Sequence, residues 1–290
     1  MTSLAESPCK QSARPDKAGE LRGRIDASLD TLAKAVDDVR ASDEFRRFLD
    51  VQSRFHRYSW HNCLLIASQC PDATQVAGFK AWKGFGRHVR KGERGIRILA
   101  PCPFKRTETD ATGQETERQG IYFKCVSVFD VAQTDGEPLP SVDVPDVQTA
   151  ADSLLRSLER VANKRGIAMA YVETRAGLYG VSKGGAVEIA TGLATGQQAK
   201  TLAHELAHEA LHKANRDGLT RSVAELEAES VAYVVCRHFS LDVEVRASRY
   251  IALWGGDAKA LRESLERIAS TARAMIDDVE ASSAGKAVAA

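Results

Sequence analysis

The chain has little that would tie it to a membrane, a disulfide framework or a zinc knuckle. No stretch of its 290 residues approaches the roughly 20 apolar residues that span a bilayer. The opening run, MTSLAESPCKQSARPDKAG, lacks the apolar centre of a secretory signal. The six cysteines, at 9, 63, 70, 102, 125 and 236, form no CxxC pair, which excludes the usual zinc-knuckle and staple spacings. They are expected as free thiols in a reducing compartment. A dominant charge is missing too: the formal net charge is +1, unlike that of an acidic or basic tail protein. These absences predict a cytoplasmic protein with no membrane partner, long enough for about two domains. No internal repeat is visible.

What is present changes texture along the chain. Residues 1–22 are polar and expected to be disordered. Ile25, Leu29, Leu32, Val36 and Val39 recur at helical steps. Asp43 is a candidate cap for a second helix bearing Phe45, Phe48, Leu49 and Phe55, and Ser59 for a third. TQVAGF, GIRILAPC and GIYFKCVSVFDV read as strands, with the polar TETDATGQETERQG between the last two as a hairpin excursion. Residues 130–152 hold three prolines and six acids without one lysine or arginine, the composition of a linker. The expected organisation is therefore α+β: a mixed helix and small-sheet domain over 23–135, a linker over 136–150, a second domain over 151–282 and a loose tail over 283–290. In the second domain a helix at 152–165 precedes a strand at IAMAYVE and two short strands around Lys183-Gly184-Gly185. Helices at about 196–214, 221–239, 244–254 and 258–280 follow.

The chemistry concentrates in TLAHELAHEALH, residues 201–212. On a helix, His204 and His208 point the same way and can occupy two corners of a tetrahedron around zinc. Glu205 stands beside the first, able to take a proton from a water molecule at the ion. This is the HExxH arrangement; the plainer alternative is an ordinary helix with a charged side. His212 lies about 12 Å along the axis from His204, too far to share one ion, and reads as a surface or helix-end histidine. A third ligand is available in SVAELEAESVAYVV, residues 222–235. Glu225 and Glu229 share a face there with the small Ala228 and Ala232, which would admit a close second helix. One carboxylate would bind the metal and the other would hold a ligand imidazole; periodicity does not say which. Glu227 falls off that face and is expected in solvent. A substrate backbone is expected along the Val187–Ala190 strand. Tyr179, Tyr233 and His238 are candidate oxyanion partners.

The first half is locally basic, with thirteen lysines and arginines against three acids from Phe45 to Arg106. In GFKAWKGFGRHVRKGERGIRI, Lys80, Lys83, Arg87, Arg90, Lys91 and Arg94 interleave with Phe79, Trp82 and Phe85. Cations for phosphates and aromatic faces for unpaired bases suit single-stranded DNA, with Trp82 the leading platform. Each aromatic taken alone reads equally as core.

Two resemblances follow from these residues. HELAH with a later ELEA is similar to the gluzincin-like metallopeptidases, and in ImmA/IrrE-type enzymes an ExxA pattern supplies the third ligand. That resemblance implies Glu225 as the ligand and Glu229 behind it, in a zincin-like domain using Zn2+ or another divalent metal such as Mn2+ on a peptide or protein substrate. The second resemblance rests on Tyr58-Ser59, Asn62, Gln69, Pro71, Trp82, Gly86-Arg87, Val89 and Lys91-Gly92, then VFDVAQT, TLAHELAH, NRD at 215–217 and ELEAE. Over about 25–280 the chain resembles plasmid antirestriction proteins of the ArdC type, whose N-terminal domain is shared with TraC-type plasmid primases. The resemblance implies that this domain binds single-stranded DNA, with Tyr58 and Asn62 among its contacts. It also implies a protein that protects incoming conjugative plasmid DNA from host restriction endonucleases. The alternatives are a metallopeptidase acting on a regulatory protein and a non-catalytic DNA-binding module braced by zinc.

Overall fold

A computed structural model describes residues 16–33, 38–109, 115–139, 146–212, 220–244 and 257–284. The helix expected at 244–254, the NRD segment and most of the stretches expected to be loose at the two ends lie outside the described residues.

Three helices open the fold: α1 (Lys17–Ala33), α2 (Asp38–Arg54) and α3 (Trp60–Gln69). The first starts inside the run expected to be disordered. Ala18 and Leu21 extend the apolar stripe of Ile25, Leu29 and Leu32 and are buried with it. The Asp16 carboxylate accepts the Gly19 N–H at 2.9 Å, satisfying one of the free donors at the helix start. Ser59 caps α3 as expected, accepting from the Asn62 N–H, and Pro71 follows its end.

Next come β1 (Val76–Gly78), α4 (Phe79–Gly84), β2 (Arg87–Val89), β3 (Ile96–Thr109), β4 (Glu115–Asp130) and β5 (Thr134–Gly136). The first sheet is antiparallel in the order β1-β4-β3, and β2 pairs with β5 in a separate two-stranded ribbon. An unpaired sheet edge exposes backbone groups that must find partners. Along β3, helix α3 supplies some of them. The Asn62 amide donates to Leu99 O and accepts the Leu99 N–H, both at 2.9 Å. Gln69 repeats the exchange with Arg97, at 2.9 and 3.0 Å. Two side-chain amides thus stand in for a neighbouring strand.

The C-terminal part contains α5 (Val147–Lys164), β6 (Ala168–Val172), β7 (Gly180–Ser182), β8 (Ala186–Ala190), α6 (Thr195–Leu211), α7 (Arg221–His238) and α8 (Ala258–Ala284). Its sheet has the order β6-β8-β7, with β6 parallel and β7 antiparallel to β8. Leu202, Ala203, Leu206 and Ala207 of α6 and Ala228, Val231 and Ala232 of α7 lose all exposure. No described helix is long and apolar enough to cross a membrane, and the five described cysteines are free.

Most of the buried apolar residues form one continuous cluster from α1 to α8. Polar contacts reinforce the junction. The Tyr233 hydroxyl donates to Asp50 at 2.6 Å, Arg262 bonds Asp26, and the Arg262 guanidinium lies 5.7 Å from the centre of the Trp60 ring. Helix α2 therefore packs directly on α7, and α1 on α8.

Removing the Asn62 amide strands a buried donor and acceptor of Leu99. Asn62→Ala should lower the unfolding free energy by about 2–4 kcal/mol, read from urea denaturation followed by circular dichroism.

Candidate metal centre and nucleic-acid surface

Helix α6 carries His204, Glu205 and His208 along a cleft of about 820 Å³. The opposite wall comes from Ala224, Glu225 and Glu229 of α7, and the strand β7 closes a third side. His204 Nε2 and His208 Nε2 are 3.1 Å apart. Glu225 Oε2 lies 3.4 Å from the first and 3.6 Å from the second. Ligand atoms around a tetrahedral zinc, about 2.0–2.1 Å from the ion, are separated by about 3.3 Å. The three edges bracket that value, so two imidazoles and one carboxylate here fit a divalent ion. The other acid of the pair, Glu229, faces the far nitrogen of His204 at 3.4 Å and takes Lys200 at 2.7 Å.

The electrostatics favour a cation at this point. Burial opposes charge on His204, but Glu225 and Glu229, with help from Glu205, outweigh it and push the imidazole up to about 9. The same histidines hold the Glu225 carboxyl far below the ordinary range against its own burial. Glu205 moves the other way, since burial raises it. Its side chain is accommodated by an absence: a Cβ at Gly180 would sit 2.6 Å from Thr201 Cγ2 and 3.0 Å from Glu205 Cγ.

Two expectations for this region need correction. His212 is buried at the end of α6, and Glu227 is 0 % exposed. They meet: His212 Nε2 is 3.3 Å from Glu227 Oε2, and His212 Nδ1 is 3.0 Å from His208 Nδ1. Glu227 also takes Arg267 at 2.6 Å and the Ser264 hydroxyl at 2.6 Å, which together with His212 lower its carboxyl although burial pulls upward. One tautomer set satisfies the row. His208 Nδ1–H donates to His212 Nδ1, and His212 Nε2–H donates to Glu227, which leaves His208 Nε2 with a free lone pair towards the cleft. The α7 spacing concealed this because α8, remote in sequence, supplies the partners. A further acid passed unnoticed: Glu209, one turn after Glu205, accepts the Ser182 hydroxyl and the Gly184 and Gly185 N–H groups at 2.6–2.8 Å. The paired glycines were the available signal, as donors needing an acceptor.

The strand expected to receive a substrate, Val187–Ala190, lies in β8, the middle strand, whose two edges are already paired. The outer strand on the cleft side is β7. Of the three oxyanion candidates only Tyr179 lines the cleft. Tyr233 is bonded to Asp50 and His238 to Ser53 O.

The basic segment divides in two. Trp82 is 2 % exposed and its indole N–H donates to Phe129 O at 2.8 Å, so its face is not open to a base. Asn62 is committed to β3. Tyr58 is half-buried against the core, edge-on to Phe55. Arg87 spends its guanidinium on Thr134, Gly136 and Glu137 in and beside β5, and Arg90 pairs with Glu93 and Asp135. By contrast Lys80, Lys83, Lys91 and Arg94 are exposed and pair with no described acid. Phe79 opens α4 and Phe85 follows it, at 58 % and 60 % exposure. The β3–β4 ribbon adds Phe104 and Tyr122, both exposed, with ring centres 6.2 Å apart. The signal for Tyr122 was the unbroken IYF run, since an alternating strand would hide every second residue.

A helix presenting two histidines and a glutamate, joined by a carboxylate from the next helix beside a small mixed sheet, defines a candidate divalent-metal centre of the HExxH class. Residues 18–129 match the family model described as the N-terminal domain of anti-restriction factor ArdC. Two crystal structures of the antirestriction protein ArdC from plasmid R388 share the fold. The metal-free form is 20 % identical, with a TM-score of 0.51, over 77 % of this chain and 82 % of that one. The Mn(II)-bound form is 18 % identical, with a TM-score of 0.50, over 92 % and 98 %. An uncharacterized protein of Bacillus anthracis is 26 % identical over 90 % of this chain and 51 % of its own length, so the chain spans about half of that relative.

Glu227 has no exposure, so its charge depends on Arg267. Arg267→Ala should cost about 3 kcal/mol of stability. Because the folded carboxyl is depressed, that contribution is present above the ordinary carboxylate range and is lost as pH falls through the folded value. Urea titrations at neutral and acidic pH should show the gap between wild type and variant narrowing on acidification.

Proposed function

We propose that the protein is an antirestriction factor of the ArdC type. On this reading its N-terminal region binds single-stranded DNA, and its C-terminal region is a zincin-like, HExxH metal domain with a peptide or protein substrate. The observation that carries the reading is the match of residues 18–129 to the ArdC N-terminal domain. The surface described for that segment supports it: four exposed cations that pair with no described acid, in one segment with exposed Phe79 and Phe85, suit phosphates and unstacked bases. DNA entering by conjugation is single-stranded, and coating it would keep restriction enzymes from their sites.

For the metal domain, His204, His208 and Glu225 would hold the ion, and Zn2+ and Mn2+ are both compatible with imidazole and carboxylate donors. A bound divalent ion there supplies Lewis acidity to a carbonyl oxygen or a water molecule. Glu229 would fix His204 through Nδ1, and His212 would fix His208, the support that ligand imidazoles ordinarily receive. Glu205, raised by burial, would accept a proton at the cleft and pass it to a leaving amine. A peptide would lie along the open edge of β7, where Gly180 to Ser182 border the cleft. Tyr179 stands at the rim.

The DNA reading is tested by fluorescence anisotropy with a labelled single-stranded oligonucleotide across a salt series. Replacing Lys80, Lys83, Lys91 and Arg94 with Ala should flatten the salt dependence by up to about 2.8 in log–log slope, about 0.7 for each phosphate no longer neutralised. An unchanged slope and affinity would defeat it. In plasmid transfer into restricting cells, the same variant should lose protection. Glu205→Gln should retain protection if DNA coverage is the protective act and lose it if peptide cleavage is. The metal reading predicts that His212→Ala weakens zinc binding about 10–100-fold in a competition titration.

A further inference from the structure

A second group of metal-type donors lies away from the cleft, where the N-terminal region meets the last helices. His56 follows α2, His238 ends α7 and Glu280 sits near the end of α8. One ligand atom from each falls within 4.8 Å of the other two. His238 Nε2 is 3.4 Å from Glu280 Oε1, close to the roughly 3.3 Å that separates neighbouring donors on a tetrahedral zinc.

Three features distinguish the group from a chance polar contact. The His56 side chain is only 9 % exposed, and neither of its ring nitrogens has a hydrogen-bond partner. Its nearest acid, Asp277, stands 4.0 Å from Nε2, beyond hydrogen-bond reach. A buried imidazole left unsatisfied is costly unless something unseen completes it. Second, His238 Nδ1 lies 2.8 Å from Ser53 O. A carbonyl only accepts, so Nδ1 carries the proton, and in the neutral ring Nε2 is left with its lone pair on the side of Glu280. That is the orientation a backbone carbonyl imposes on metal-bound histidines. Third, the two imidazoles are packed edge to face, with centres 4.5 Å apart, and no hydrogen bond ties His56 to any other group. Arg57 occupies the other oxygen of Glu280 at 3.4 Å, leaving Oε1 for the imidazole side, and Asp277 offers a second carboxylate at the margin.

We propose that His56, His238 and Glu280 form a second divalent-metal site, of zinc type, that clamps the N-terminal region onto α7 and α8. Two imidazoles and a carboxylate are a borderline donor set that suits zinc better than calcium or magnesium. The ion would act as a brace. It would join the region that carries the exposed cations to the helix whose other end carries Glu225.

The test is the zinc content of the full chain after chelation, reloading with zinc chloride and desalting, measured by mass spectrometry of the metal. Wild type should retain two equivalents. A His204→Ala/His208→Ala variant should keep one, and adding Glu280→Gln should remove it, with zinc no longer raising the thermal midpoint. Should the double variant not fold by circular dichroism, Glu280→Gln alone decides, since that side chain is 38 % exposed: it should fall from two equivalents to one. A folded double variant that holds no zinc overturns the proposal. So does a Glu280→Gln chain with unchanged content. One equivalent in wild type that Glu280→Gln removes and His204→Ala/His208→Ala leaves in place would sustain this site and instead remove the ion from the cleft.

Discussion

The close contact of α6 with α7 is the constraint on which the rest depends. The two helices carry Ala203, Ala207, Ala228 and Ala232, all without exposure. Small residues let two helices approach until groups on their flanks can meet. His204 and His208 then reach Glu225 on one flank, and Glu229 reaches behind His204.

Each buried charge near that contact is answered by a specific donor, and the donors come from different parts of the chain. Glu209 is held by the backbone of the β7–β8 turn, Glu227 by Arg267 of α8 and Glu229 by Lys200 of its neighbouring helix. A carboxylate removed from water needs such partners to remain charged. These acids therefore fasten α6 to the sheet, and α7 to α6 and α8, while Glu205 faces the cleft beside Gly180 of β7.

In the N-terminal region the residues that carry the family likeness serve mainly to build the fold. Ser59 caps a helix, Asn62 and Gln69 complete a sheet edge, Trp82 is a buried hydrogen-bonded core residue, and Arg87 ties β2 to β5. The exposed cations and rings of this segment stand mainly at other positions, Lys80, Lys83 and Arg94 with Phe79 and Phe85; Lys91 belongs to both sets. A family signature of this sort marks an architecture more directly than it marks contacts.

Period and punctuation determined much by themselves. Steps of three and four marked the helices, Ser59 marked the start of α3 although Asp43, the expected cap of the second helix, lies inside α2, and the i, i+4 spacing of His204 and His208 set both imidazoles on one face, because these are properties of a single helix. Whatever depended on the distance between helices was left to the tertiary structure. It put Glu225 rather than Glu229 beside both Nε2 atoms, buried Glu227 and His212 together, and hid Trp82. The middle position of β8 was likewise set by pairing with β6 and β7. Each of these outcomes requires a partner many residues away, and local sequence carries no measure of which distant surface a side chain will meet.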